Sequence, residues 1–228
     1  VFSESPKNLR NFFAAVASCS PFLYSQILKE KRWLLDIVED KNFNILSLLE
    51  HLKLEPFDSL YVKLRKAKKR AALWVALNDL AGVWSLEDVT KNLSVFAEKA
   101  INLSWHASFR KELNKGKFPT HYHLDPDGVG FFILAMGKLG AYELNYSSDI
   151  DLICFFDEDL YSPEEFQNVR RTFINATKNL YRVLNENGKD GYVFRTDLRL
   201  RPDPSVTPVC MGVDAAERYY ASLGRTWE

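Results

Sequence analysis

The run Ser148-Asp149-Ile150-Asp151-Leu152 sets two carboxylates two residues apart at the mouth of the apolar stretch Leu152-Ile153-Cys154-Phe155-Phe156. Side chains alternate along a strand, so Asp149 and Asp151 project from one face about 6–7 Å apart, while Ile150 and Leu152 take the other. Acids entering so apolar a run are costly unless they are paired or hold a cation. An all-oxygen donor set suits a hard divalent ion, which makes Mg2+ the expected metal and Mn2+ its substitute. Before the pair stands Gly137, which ends an earlier apolar run and opens Lys138-Leu139-Gly140. A strand-to-helix junction there would present free backbone N–H groups, and glycine lets a phosphate oxygen approach closely. Lys138 sits as a P-loop lysine would, but the G-x-x-x-x-G-K-[ST] spacing is absent and Leu139 takes the hydroxyl position, which excludes that motif. A third segment, Arg195-Thr196-Asp197-Leu198-Arg199-Leu200-Arg201-Pro202, puts Arg195, Asp197, Arg199 and Arg201 on one face of a strand. Beside an aspartate pair, Asp197 is expected to be a third carboxylate ligand, and Arg199 or Arg201 to meet phosphate oxygens in forked contacts.

These groups need elements to hold them. Over residues 7–114 apolar side chains recur at helical spacing among strong helix formers, which predicts an all-helical region. Ser20-Pro21 and Glu55-Pro56 mark helix boundaries, and Ser85 with Glu87 and Asp88 reads as a capped helix start. The pattern changes after Gly116-Lys117-Phe118-Pro119. Residues 129–136 and 149–156 read as central strands, with a short turn and helix between them. A helix over 163–187 follows, then a strand over 192–200, a fourth strand candidate at 207–211 and a helix from about Asp214. Helices first and a mixed sheet later predict an α+β fold, divided into a helical region at 1–116 and a sheet-bearing core at 117–228.

The composition narrows the function classes. Thirty Lys and Arg balance thirty Asp and Glu, so no net field draws in nucleic acid or an anionic membrane, and phosphate chemistry has to come from local charge. No apolar stretch reaches the roughly 18–20 residues that span a bilayer. The basic run Lys63 to Arg70 distributes its charges around a helix with few aromatic partners, so it reads as a solvated face rather than a nucleic-acid patch. His121, His123, Asp125 and Asp127 read as a polar loop; His51 and His106 carry no assignment. Cys19, Cys154 and Cys210 are odd in number and widely spaced, which suits a reducing cytoplasm. The last residues read as the middle of an element, so a fragment of a longer protein is expected.

Gly137 followed by Asp149-Ile150-Asp151 and a later strand aspartate resembles the polymerase-beta-like nucleotidyltransferase superfamily, with Lys138 where many members have serine and with Ser147 and Ser148 nearby. More closely, Met136-Gly137-Lys138-Leu139-Gly140, Glu143-Leu144-Asn145, Ser147-Ser148-Asp149-Ile150-Asp151-Leu152, Asp197-Leu198-Arg199-Leu200-Arg201-Pro202 and Gly224-Arg225-Thr226-Trp227-Glu228 resemble the bifunctional glutamine synthetase adenylyltransferase/adenylyl-removing family. Members carry two related nucleotidyltransferase halves, and Glu-Leu-Asn-x-Ser-Ser-Asp-Ile-Asp with Gly-Arg-x-Trp-Glu is similar to the N-terminal, adenylyl-removing one. The resemblance implies a metal-dependent enzyme acting on glutamine synthetase. Inorganic phosphate would take AMP from a modified tyrosine as ADP, with Asp149, Asp151 and Asp197 holding metal and Gly137, Lys138, Ser148, Arg199 and Arg201 meeting phosphate or nucleotide. Three functions stay open at this point: removal of AMP, addition of AMP from ATP, and a silent docking module for glutamine synthetase or a PII signalling protein. Ser205-Val206-Thr207 departs from the family where glycine would be expected after Arg-Pro.

Overall fold

The computed structural model describes residues 6–40, 42–122 and 124–224. Its first half is helical: α1 (Lys7–Cys19), α2 (Pro21–Lys29), α3 (Lys31–Val38), α4 (Ser47–Glu50), and the long α5 (Phe57–Leu80) and α6 (Leu86–Leu113). The starts follow local chemistry. Ser20 accepts a hydrogen bond from the Leu23 N–H at 3.2 Å with Pro21 in the first turn, and Ser85 and Asp88 close a reciprocal capping box, which satisfies backbone donors that a helix start leaves open.

The second half contains β1 (Phe131–Met136), α7 (Gly137–Gly140), β2 (Ile150–Phe156), α8 (Phe166–Asn185), β3 (Thr196–Asp197), β4 (Cys210–Gly212) and α9 (Val213–Ser222). The class is α+β. β2 is the centre of the sheet: β1 runs antiparallel along its whole length, β3 pairs in parallel with its first residues and β4 in parallel with its last. β1 is not a central strand. It pairs only with β2 among the described residues, and Phe132 and Leu134 are 41% and 44% exposed. The third strand is also shorter than its sequence alternation suggests, because the Asp197 carboxylate accepts the Arg199 backbone N–H at 2.7 Å. That side-chain-to-backbone bond is a turn device that competes with a strand ladder.

The alternation of β2 divides its side chains between two apolar layers. Ile150, Leu152, Cys154 and Phe156 join the main core with α5, α6 and α8, in which the Trp105, Phe131 and Phe173 rings pack together. Ile153 and Phe155 face a small second layer closed by Met211 and Ala216. The buried, free thiols of Cys154 and Cys210 lie opposite each other, and burial pushes the Cys154 thiol up to about 12, as for structural cysteines. Among the described residues no helix is long and apolar enough to cross a membrane.

The basic run on α5 is not simply a solvated face. Arg65 is 1% exposed, and its guanidinium donates to the carbonyls of Gly191 at 2.7 Å, Tyr61 at 2.5 Å and Glu186. Lys69 pairs with Asp190 at 2.7 Å. Spacing along α5 could not reveal this, because the Glu186, Asp190 and Gly191 acceptors lie more than a hundred residues away in the turn between α8 and β3. A buried cation whose hydrogen bonds are this well supplied is costly to remove, since the carbonyls it leaves are unsatisfied. Replacing Arg65 by Met should destabilise the protein by about 2–4 kcal/mol, measured as a fall in the urea midpoint at unchanged m-value.

Candidate active site

Asp149 and Asp151 lie where the two-layer burial of β2 runs out. They share the face of Ile153 and Phe155, but the buried residues of the small layer under α9 lie toward the far end of the strand, and beside Asp151 that layer offers only the half-buried Met136. Asp149 is exposed and Asp151 half-buried. β3 brings Asp197 directly opposite Asp151 in parallel register, so the three acids predicted from sequence meet at one end of the sheet.

The loop that delivers them is pinned to the helical region. Leu144 is fully buried and its N–H donates to Ser94 Oγ of α6 at 3.1 Å. The Tyr142 hydroxyl donates to Glu98 and the Tyr146 hydroxyl to Asp79, each at 2.8 Å. Burial, then the Asp79 carboxylate, pushes the Tyr146 phenol above its ordinary range. Ser148 Oγ accepts the Asn145 N–H at 3.3 Å. On the opposite side Arg195 donates to the Ser147 carbonyl and accepts the Ile150 N–H at its own carbonyl, at 2.5 and 2.9 Å, while Asn185 at the end of α8 accepts the Thr196 N–H at 3.0 Å.

The acids are electrically coupled. Burial first, then the charges of Asp149 and Asp197, raise the Asp151 carboxyl above its usual range. Asp197 moves the other way, held low chiefly by hydrogen bonds from Arg199, whose Nη2 stands 2.6 Å from Asp197 Oδ2. Oxygen donors under mutual repulsion are the chemistry that a divalent cation relieves, so the residue types fit a metal. The side chains are not drawn into a closed ligand set: no group of three or more His, Cys, Asp or Glu among the described residues is poised to hold a metal ion, and Arg199 takes the Asp197 carboxylate.

Gly137 opens α7 next to Asp151. Its φ is +56°, a left-handed conformation that favours glycine, and a Cβ there would stand 3.0 Å from Asp151 Oδ2 and press on that carboxylate. Lys138 is exposed beside it. The two arginines expected to meet phosphate are placed differently from each other. Arg199 caps Asp197, whereas Arg201 turns to the carbonyls of Leu198, Pro204 and Thr207, at 2.5, 3.0 and 3.2 Å. In the turn beyond Pro202, Asp203 takes a φ of +37°, and Thr207 Oγ1 donates to the Pro202 and Asp203 carbonyls at 2.5 and 2.8 Å. Hydroxyls thereby stabilise the loop in which glycine was expected.

Beside the acids opens a cavity of about 580 Å³, lined by Asp149 and by residues 195–199 and, unexpectedly, by Lys178, Tyr181 and Arg182 of α8. Their only sequence signal is the four-residue spacing of Lys178 and Arg182 on one helix face, a spacing common on solvated helices. Residues 225–228 of the Gly-Arg-x-Trp-Glu motif, and His123, lie outside the described residues.

The family model for glutamate-ammonia ligase adenylyltransferase matches residues 11–228. The chain belongs to this family. Proteins named bifunctional glutamine synthetase adenylyltransferase/adenylyl-removing enzyme are similar to it: one from Bradyrhizobium sp. strain BTAi1 is 39% identical over 226 residues, 96% of this chain and 23% of its own length. One from Rhodopseudomonas palustris strain BisB5 is 38% identical over 94% of this chain and 22% of its own, and one from Caulobacter vibrioides is 42% identical over 81% and 19%. The chain therefore spans under a quarter of the length of these glutamate-ammonia ligase adenylyltransferase family relatives.

The raised Asp151 carboxyl gives a signed expectation for this family member. An acid whose folded pKa is raised lowers stability where it is ionised, and the penalty vanishes as pH falls through the carboxylate range. Asp151→Asn should raise the melting temperature by a few degrees, about 2–4 °C for each kcal/mol, at neutral pH without divalent metal. The gain over the parent should shrink toward pH 4, a trend that paired thermal melts across pH will follow.

Proposed function

We propose that this chain is the adenylyl-removing half of a bifunctional glutamine synthetase adenylyltransferase/adenylyl-removing enzyme. It takes AMP from the modified tyrosine of glutamine synthetase by phosphorolysis and releases ADP. The observation that carries this reading is the parallel pairing of Asp151 with Asp197 at the open end of β2, on a chain whose relatives bear that name. The Glu143-Leu144-Asn145 and Gly224-Arg225-Thr226-Trp227-Glu228 motifs favour removal over addition.

Asp149, Asp151 and Asp197 would hold Mg2+, or Mn2+ in its place. The ion supplies charge neutralisation at the phosphoryl oxygens and Lewis-acid polarisation of the phosphorus under attack. The remaining work falls to the chain. Gly137 leaves the space in which an Asp151 oxygen sits, and the exposed Lys138 beside it offers a cation to phosphate. Ser148, whose hydroxyl oxygen accepts the Asn145 N–H, stands next to Asp149 in the chain and would contribute a hydroxyl. Arg199, exposed except where it grips Asp197, is placed to exchange that carboxylate for a phosphoryl oxygen, freeing Asp197 as a ligand. An oxygen of hydrogen phosphate forms the new bond to the adenylyl phosphorus. The bond from phosphorus to the tyrosyl oxygen breaks, its electron pair stays on that oxygen, and the proton of the attacking hydrogen phosphate ends there.

Glutamine synthetase is then the macromolecular substrate, a PII signalling protein the regulatory partner, and phosphate with adenine nucleotides the small-molecule partners. The free cysteines suit a cytoplasmic setting. The chain incubated with adenylylated glutamine synthetase, Mg2+ and phosphate should release ADP in proportion to phosphate. Asp149→Asn and Asp151→Asn should each lower turnover by ~100-fold or more, and Asp197→Ala should lower kcat to a similar degree at nearly unchanged affinity for the modified protein. Label passing from ATP onto unmodified glutamine synthetase, with no ADP released in the first assay, would overturn the direction.

A further inference from the structure

The cavity beside Asp149 and Asp197 is unusual in its two kinds of wall. Tyr181, Leu198 and Val209 give it apolar surface, while Lys178, Arg182, Arg195 and Arg199 give it four cationic side chains against the two carboxylates. The local surplus of positive charge contrasts with a chain that carries no net charge overall. Its cations also differ in how they are occupied. Lys178 has no ion pair or hydrogen-bond partner among the described residues, and Arg182 makes only an exposed pair with Glu186 at 3.2 Å, a contact worth little in water. The Tyr181 hydroxyl accepts a hydrogen bond from Asn185 at 2.9 Å, and the residue lines the cavity wall. The volume, about 580 Å³, is in the range of cavities that bury a ligand much larger than inorganic phosphate.

We propose that this cavity is the adenine-nucleotide pocket. The base rests on Tyr181 against Leu198 and Val209, and Lys178, Arg182 and Arg195 receive the phosphates on their way to Asp149 and Asp197. The division of labour follows from chemistry: a flat apolar base gains from an aromatic face and aliphatic walls, and phosphate oxygens from cations held near a low-dielectric surface. Lys178 and Arg182, one helical turn apart on α8, act as a pair. The inference rests on the proposed function only in placing the reacting phosphorus at the aspartates; either direction of AMP transfer handles an adenine nucleotide.

The test is equilibrium binding of ADP and of pyrophosphate to the whole chain by isothermal titration calorimetry, beside the ADP-release assay. Tyr181→Ala should weaken ADP by 10-fold or more and leave pyrophosphate within 2-fold, whereas Tyr181→Phe, which keeps the ring, should restore ADP. Lys178→Met and Arg182→Met, both at exposed positions and not expected to alter melting, should weaken both ligands by 10-fold or more. Folded variants that bind ADP as the parent does, or a parent that binds no ADP at millimolar concentration, would overturn the pocket. ADP binding that depends on Tyr181 and Lys178, without ADP release from adenylylated glutamine synthetase, upholds the pocket and sinks the reading of direction alone.

Discussion

The burial of β2 is the constraint on which the site depends. A strand flanked on both edges and packed on both faces can admit acids only where one face stops being covered, and here that place is its first turn of residues. Asp149 and Asp151 project on the side where the buried residues of the small apolar layer under α9 end short of them, while Ile150 and Leu152 stay locked into the main core. Shifting the strand by one residue would bury both carboxylates and expose both aliphatic side chains, so the same alternation that stabilises the sheet aims the chemistry.

The helical region takes part in that aiming. Ser94, Glu98 and Asp79 hold the loop before β2, and Arg65 with Lys69 holds the turn that leads toward β3. The loop before β2 is thus tied to both α5 and α6, and the turn before β3 to α5, so helices rather than flexible connections hold the two acid-bearing segments. A network of this kind is stiff only while complete, since each buried carbonyl or hydroxyl loses its partner if one member goes.

Charge in the site is arranged in opposition. Asp151 is disfavoured in its ionised form by burial and by its neighbours, and Asp197 is favoured by Arg199. The α8 side of the cavity adds cations that face the acids across open space. A ligand that brings a metal to the acids and phosphate oxygens to the cations satisfies both walls at once, which neither a bare cation nor a bare anion does.

Much of this was legible in the sequence. The carboxylate pair, its strand phase, the capped starts at Ser20 and Ser85 and the α+β class all follow from local rules, because alternation, capping and helical periodicity act over a few residues. Family membership was legible too, through motifs that a short window contains. Other features waited for the tertiary structure. Whether β1 is central or at an edge depends on what pairs with its second side. Asp197 ends its strand because its own carboxylate bonds to the backbone two residues on, which the clean Arg-Asp-Arg-Arg alternation conceals. Arg65 reads as one more solvated cation on α5 until the α8–β3 turn brings the Glu186 and Gly191 carbonyls to it, and Lys178, Tyr181 and Arg182 read as an ordinary helix face until β3 folds opposite them. Local pattern determines which residues share a face; only the folding together of segments distant in sequence decides what that face meets, because burial and charge pairing are properties of the space between elements.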